Sequence, residues 1–344
     1  MSDGAFVHKG LSFPFGRDGP APGTVLPIRA GLRWARFPIP GPLRDVNVWL
    51  LDETNGGLTV VDAGLDIQSV REAWTRLWAE PLLGKRVTRV VATHFHPDHL
   101  GLAGELCARN GGALLMSRNE WLIGRLLRAD AADAPPPEAL AHWRMAGWTE
   151  EQIAKAVAKG WRLFATVVAH IPASYRRLVA GEVIELGGAR WRVIVSEGHS
   201  PEHVSLLDEA GGLFIAGDTA LPRISPNVSL VMSEPDGDPL GDWLASLHRL
   251  LELPDDVLVL PSHGEPYHGV HARVRALRDA HGGRLDALAS HLAEPRRAVD
   301  CFGVLFGRAI DDGSRGLATG EALAHLRRLE LDGRARRETR DGAA

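Results

Sequence analysis

Hydrophobic and polar positions follow two rhythms along this chain. Short apolar runs bounded by Gly, Pro or acidic residues predict strands at "LRWARFPI" (32–39), "VNVWLLDE" (46–53), "LTVVDAG" (58–64) and "RVTRVVAT" (86–93). "PGPLRD" reads as the turn between the first two. Helical spacing appears in "IQSVREAWTRLWAEPLL" (67–83) and again in "HLGLAGELCARN" (99–110), followed by a strand at "GALLMS" (112–117). Strand, loop, helix, strand is the order of an α/β domain.

The pattern changes over 118–180. That stretch reads as a helical insertion with Trp121, Trp143, Trp148 and Trp161, interrupted by "DAPPPEA". Strands return with "EVIEL", "RWRVIVSEG", "VSLLDE" and "LFIAGDT", and a second helical region covers 237–293, broken by "DDVLVLPSHGEP". The first 30 residues, rich in Gly and Pro, read as an irregular arm. In the tail, "LRRLELDGRARRETRDG" predicts a helix followed by a small hairpin, and the balance of its acids and arginines predicts a solvated, salt-bridged face. The expected division is a large domain over 1–295 and a small one over 296–344.

Composition narrows the class. With 344 residues, 45% hydrophobic and 24% charged, the chain has enough apolar material for a sizeable core. A net charge of −4 gives no global reason to expect nucleic acid or a membrane surface. No apolar run approaches the ~18 residues of a membrane span. The N-terminus lacks a basic start followed by an apolar core, so no signal peptide is expected and a cytoplasmic location is. Cys107 and Cys301 match no paired motif and read as buried small hydrophobes.

Candidate chemistry collects where strands end. "VVATHFHPDHLG" runs from an apolar strand into His94, His96, Asp98 and His99. "VIVSEGHS" ends on His199, "LFIAGDT" on Asp218 and "VLVLPSHGEP" on His263. Strand ends in open sheets face a ligand-binding crevice, and imidazole with carboxylate suits Zn, Fe or Mn. Glu202 and His203, just after His199, are candidate hydrogen-bond partners for ligating imidazoles. Tyr267, four residues past His263, is a candidate oxyanion donor. Neither "GHS" nor "SHG" matches the GxSxG nucleophile turn, so Ser200 and Ser262 read as loop residues.

These motifs, "VVDAG", "THFHPDHLG", "EGHSPEH", "AGDT" and "PSHGEP", resemble those of the metallo-β-lactamase-fold hydrolases over roughly residues 30–270. The resemblance implies a four-layer αββα sandwich with a two-metal site at one edge. It implies that His94, His96 and His199 hold one metal, that Asp98, His99 and His263 hold the other, and that Asp218 bridges them. Asp62 would orient the cluster through hydrogen bonds. The tail is similar to the winged-helix-like C-terminal segment of the glyoxalase-II-like and lactamase-beta-2-like branch.

The expected function is a binuclear metal-dependent hydrolase with two divalent ions, zinc first, iron or manganese on the same donors. Seven ligands over two metals leave positions for water, whose ionisation supplies hydroxide for attack on a thioester, ester or lactone carbonyl. Asp98 would orient that water or pass a proton to the leaving group. The partner expected is a small acyl substrate, with the insertion's tryptophans offering a pocket wall or a homodimer interface. The alternative is a phosphodiesterase or ribonuclease that uses the same site, with the C-terminal segment holding RNA. A single-iron redox enzyme is a further reading, which metal stoichiometry separates.

Overall fold

The apolar runs form strands buried on both faces, which is why they read as continuous hydrophobic stretches without polar alternation. The computed structural model describes residues 4–41 and 43–339. In chain order the strands are β1 Phe6–His8, β2 Leu11–Phe13, β3 Leu26–Arg29, β4 Leu32–Pro38, β5 Asp45–Asp52, β6 Gly57–Val61, β7 Arg86–Val91, β8 Ala113–Met116, β9 Arg176–Arg177, β10 Val183–Leu186, β11 Ala189–Ser196, β12 His203–Asp208, β13 Leu213–Gly217 and β14 Leu258–Pro261. β3 to β9 lie side by side in one sheet, and β10 to β14 in a second.

Alternate residues of these strands divide among three cores. Trp49, Val61 and Val91 of the first sheet meet Trp191, Leu206 and Ile215 of the second between the sheets. Val48, Leu50, Val60 and Val90 point outward, against the helices Gln68–Ala79 and Ala103–Asn110. On the other side, Phe214 and Val259 face the helices Pro239–Arg249 and Val270–His291. Helix, sheet, sheet, helix is the αββα sandwich expected from the sequence.

The insertion is helical as expected, with helices at Arg118–Ala129, Pro137–Met145, Glu150–Ala158 and Leu163–Val167, and it ends in the edge strand β9. Three features differ from the sequence reading. The N-terminal arm holds β1, β2 and β3. Lys9 and Gly10 both take positive φ, 49° and 77°, so a two-residue turn of the primed kind closes β1 onto β2. Among the described residues 296–339 the tail forms no strand, and the end of the expected hairpin, 340–342, lies outside the described residues. Asp332–Gly333 ends the helix Arg315–Leu331. Gly333 has φ 68°, and Arg334 N–H bonds back to Leu329 O at 2.9 Å. Finally, Cys301, Phe302, Ala322 and Leu329 of the tail share one core cluster with Phe214 and Trp243, so the tail has no separate core.

Candidate metal centre

Five strands run off their C-terminal ends at one edge of the sandwich, and each delivers part of the site. β6 leads to Asp62, β7 to Thr93–His99, β11 to His199, β13 to Asp218 and β14 to His263. Asp62 adopts φ 64°, a left-handed turn uncommon outside Gly and Asn/Asp, which swings its carboxylate under the histidine loop. Gly217, with φ 57°, leaves room for the His203 ring, whose atoms would lie 2.4 Å from a Cβ there.

The first group is His94, His96 and His199. His94 Nε2 lies 2.8 Å from His96 Nδ1 and 3.2 Å from His199 Nε2. The second group is Asp98, His99 and His263. Asp98 Oδ2 lies 3.4 Å from His99 Nε2 and 3.3 Å from His263 Nε2. Asp218 stands between the groups. Its Oδ1 is 3.6 Å from both His99 Nε2 and His263 Nε2, while its Oδ2 is 3.4 Å from His199 Nε2.

Hydrogen bonds on the outer nitrogens fix what the inner ones present. His199 Nδ1 donates to Asn227 O at 2.7 Å and His263 Nδ1 to Asp45 O at 2.7 Å. A carbonyl can only accept, so neutral rings there must turn lone pairs inward at Nε2. His99 Nδ1 faces the Asp62 carboxylate at 2.8 Å, and His94 Nδ1 faces Thr93 Oγ1 at 3.0 Å. With the rings neutral, the inward atoms of His199 and His263 are acceptors, and they face the carboxylate oxygens of Asp98 and Asp218. His99 Nε2, His263 Nε2 and Asp218 Oδ1 are buried and make no hydrogen bond. Such an array is unfavourable unless a cation sits within it, and its donor chemistry suits divalent ions of the zinc, iron or manganese kind. The three closely spaced sets, His94–His96–His199, His94–His99–Asp218 and Asp98–His99–His263, each have the compactness a metal ion needs.

The electrostatics divide the same way. Burial, aided by neighbouring imidazoles, holds His94 well below its ordinary pKa and His96 down at about 3. Burial alone would lower His99 too, but Asp98, Asp62 and Asp218 outweigh it and raise that ring well above its usual value. His263 is raised by Asp218 and Asp98 against the same burial. The carboxyls of Asp98 and Asp218 are held low by His99 and His263 despite desolvation. One half of the site is thus a set of neutral donors, the other a field that attracts positive charge.

Other sequence expectations are redistributed. Asp62 contacts His99 and also accepts Thr93 N–H at 2.8 Å. Glu202 does not reach an imidazole; its carboxylate accepts the N–H of Asn119 at 2.8 Å, at the start of the helix 118–129. His203 does border the site, with Nε2 accepting Asp218 N–H at 3.0 Å. Tyr267 is a correction: its ring is fully buried in the core, and its hydroxyl donates to Ala220 O at 3.0 Å. Chain reversal after Gly264 pairs Tyr267 with Val259 in an antiparallel bridge, which turns the ring inward. Two residues escaped the sequence reading. Asn47 Nδ2 donates to Pro261 O and Gly264 O, both at 2.7 Å, and so pins the His263 loop. Glu120 is a fully buried carboxylate between the two histidine loops. Neither sits in a motif; both act on backbone groups far away in sequence.

An αββα sandwich with paired His/Asp clusters at its strand ends defines the class of metal-dependent hydrolytic enzymes. The family profile described as the metallo-beta-lactamase superfamily matches residues 41–263, and that of the metallo-beta-lactamase-like C-terminal domain matches 285–344. The chain belongs to the metallo-beta-lactamase superfamily. A crystal structure of a beta-lactamase domain protein from Burkholderia ambifaria is 38% identical, covers 97% of this chain and 96% of its own, and superposes with a TM-score of 0.89. A probable metallo-hydrolase, YqjP, of Bacillus subtilis (strain 168) is 28% identical over 309 residues, 86% of this chain and 91% of the relative. The acyl-coenzyme A thioesterase MBLAC2 of Bos taurus is 28% identical over 233 residues, 63% of this chain and 72% of the relative.

Proposed function

We propose that this enzyme hydrolyses an acyl thioester, with esters and lactones as related substrates, using two divalent cations, zinc first. The observation that carries the reading is the pair of compact His and Asp groups that meet at Asp218. His94, His96 and His199 would hold one ion, Asp98, His99 and His263 the other, and Asp218 would touch both. When bound, the ions would supply Lewis acidity toward a carbonyl oxygen and ionise water near neutral pH.

The chain's own residues supply the rest. Hydrogen bonds from His199 to Asn227 O and from His263 to Asp45 O, with the contacts of His99 to Asp62 and of His94 to Thr93, hold four imidazoles in one orientation, so little reorganisation is needed on binding. Asp98 is the acid with the most open side chain in the cluster, 16% exposed against 8% for Asp218, and it stays ionised. It can accept a hydrogen bond from an attacking water and so orient it. A thiolate leaving group needs no protonation for departure, whereas an alkoxide does, which favours thioesters at a site with one such acid. Water adds to the carbonyl carbon, the C–S bond breaks, and a carboxylate and a thiol leave, one proton of the water going to the sulfur and the other to solvent.

An apolar approach supports the acyl group. Phe95 lies against His96, with ring centres 4.7 Å apart, and Phe164 is 6.5 Å beyond it. Leu163 next to it is 77% exposed. The thioesterase name of the bovine relative points the same way. The tail arginines favour a small substrate over RNA, because Arg328 pairs with Asp332, Arg334 with Asp286 and Arg337 with Glu330.

The test combines metal content with turnover on a thioester, a lactone, a β-lactam and a bis-phosphodiester. Two metals per chain and thioester hydrolysis that drops by about 10²–10⁴-fold in Asp98→Ala are expected. Two bound metals with phosphodiester turnover alone would overturn the acyl reading.

A further inference from the structure

Glu120 is a buried charge with an unusual set of neighbours. It lies in the first turn of the helix Arg118–Ala129 and is 0% exposed. Its Oε2 accepts the backbone N–H of Phe95 at 2.9 Å. Its Oε1 accepts Ser200 Oγ–H and Glu202 N–H, both at 2.7 Å. Among the described residues no lysine or arginine forms an ion pair with it. Burial raises this carboxyl above its ordinary range, and the three donors, with His199 nearby, only partly oppose it, so a nearby cation would stabilise its ionised form.

The backbone groups it grips are telling. Phe95 is the residue between His94 and His96, and Ser200 follows His199. One carboxylate therefore ties together the two loops that carry the first histidine group, whose His96 and His199 rings meet edge to face at 4.6 Å between centres. The exchange is reciprocal. Glu202, from the His199 loop, sends its carboxylate to Asn119 N–H in the same helical turn as Glu120, and its carbonyl accepts Ser117 Oγ–H at 2.7 Å. The insertion is latched to the histidine loops by two crossed carboxylates at a helix N-terminus, where the helix dipole favours both.

We infer that Glu120 is a positioning residue: it sets His96 and His199 at the separation a shared cation requires, and its charge offsets part of that cation's. The inference rests on the proposed metal assignment. Glutamine at this position offers one acceptor oxygen, and its amide nitrogen would confront an N–H, so at least one of the three bonds is lost.

The experiment uses the full chain, stripped by dialysis against a chelator and titrated with zinc against a chromophoric competitor. Glu120→Gln should weaken one of the two zinc sites about 10–100-fold, the usual cost of losing an outer hydrogen bond. Trp121→Phe, which removes the adjacent bond to Pro172 O and trims the stack on Tyr175 without touching the histidine loops, should leave both affinities unchanged. Spectra of metal-free, ¹⁵N-histidine-labelled protein supply an independent reading. Resonances of His96 and His199 should move in Glu120→Gln and stay in Trp121→Phe. Zinc affinities equal to wild type together with unmoved histidine resonances, even alongside a lower melting temperature, would reduce Glu120 to a structural role and overturn the inference. Wild-type protein that takes up no zinc would instead defeat the metal assignment, and the histidine spectra would still decide for or against Glu120.

Discussion

Single residues set the site through contacts of very different visibility. The seven inward His and Asp side chains were readable because each follows an apolar strand, so sequence position alone implies a place at the sheet edge. Asn47 and Glu120 were not, because they work through backbone groups 214 and 82 positions away, and nothing in local spacing encodes such pairings. Tyr267 misled for the converse reason: it is close to His263 along the chain, but the reversal that pairs it with Val259 turns its ring into the core. Gly217 gives a prediction at this scale. Its φ of 57° and the His203 ring atoms 2.4 Å from where a Cβ would stand leave no space for a side chain. Gly217→Ala should lower stability by the ~1–3 kcal/mol of backbone strain and by a further clash. Gly212, with φ 63° and open surroundings, suffers the strain alone when replaced by Ala. Equal melting temperatures for the two variants would rule out the clash.

Between elements, the long helix Val270–His291 and the tail helix Arg315–Leu331 meet at two buried histidines. His281 Nδ1 lies 3.3 Å from His325 Nε2, and His325 Nδ1 donates to Glu321 O at 2.8 Å. Burial holds His281 down at about 3 and His325 at about 4, with Arg284 adding to both and the Glu321 carbonyl partly opposing at His325. Both are therefore neutral in the fold at neutral pH. Between the ordinary histidine value of ~6.5 and these depressed values the unfolded chain binds more protons than the folded one, so stability falls as pH drops through that window and is flat above it. By pH 5 the loss reaches about 2 kcal/mol per histidine. Urea midpoints at pH 7 and pH 5 should therefore converge in a His281→Leu, His325→Leu variant relative to wild type. An unchanged difference would place the acid sensitivity elsewhere. The sequence offered no hint of this pair, since 44 residues separate the two rings. By contrast, the strands themselves were visible, because double-sided burial writes them as unbroken apolar runs.

Across the whole molecule, the tail is wired into the catalytic edge. Leu230 N–H bonds to Gly320 O at 3.0 Å, and Asn227 Nδ2 donates to Leu317 O at 3.2 Å and to Glu321 at 3.1 Å. The Asn227 carbonyl is the one that orients His199. Trp148 of the insertion donates to Thr319 in the same helix at 2.9 Å. The shared core argues that 1–295, the larger part of the division expected from the sequence, is not self-sufficient. A chain ending at 295 would uncover the face of Val274, Leu277 and Leu288. It is expected to aggregate or to lose its cooperative melt in near-UV circular dichroism. A monomeric fragment with a sharp transition would show the tail to be dispensable.

The crossed carboxylates at the root of the insertion also matter to anyone who would recombine this scaffold. An insertion is the natural cassette to exchange between relatives when a new substrate range is wanted. Here the cassette boundary is not where the helices begin. Residues 117–120 belong to the histidine loops as much as to the helix they open. A chimera joined after Trp121 keeps the latch and transplants only the wall; one joined at Ser117 trades away the register of the histidines along with it.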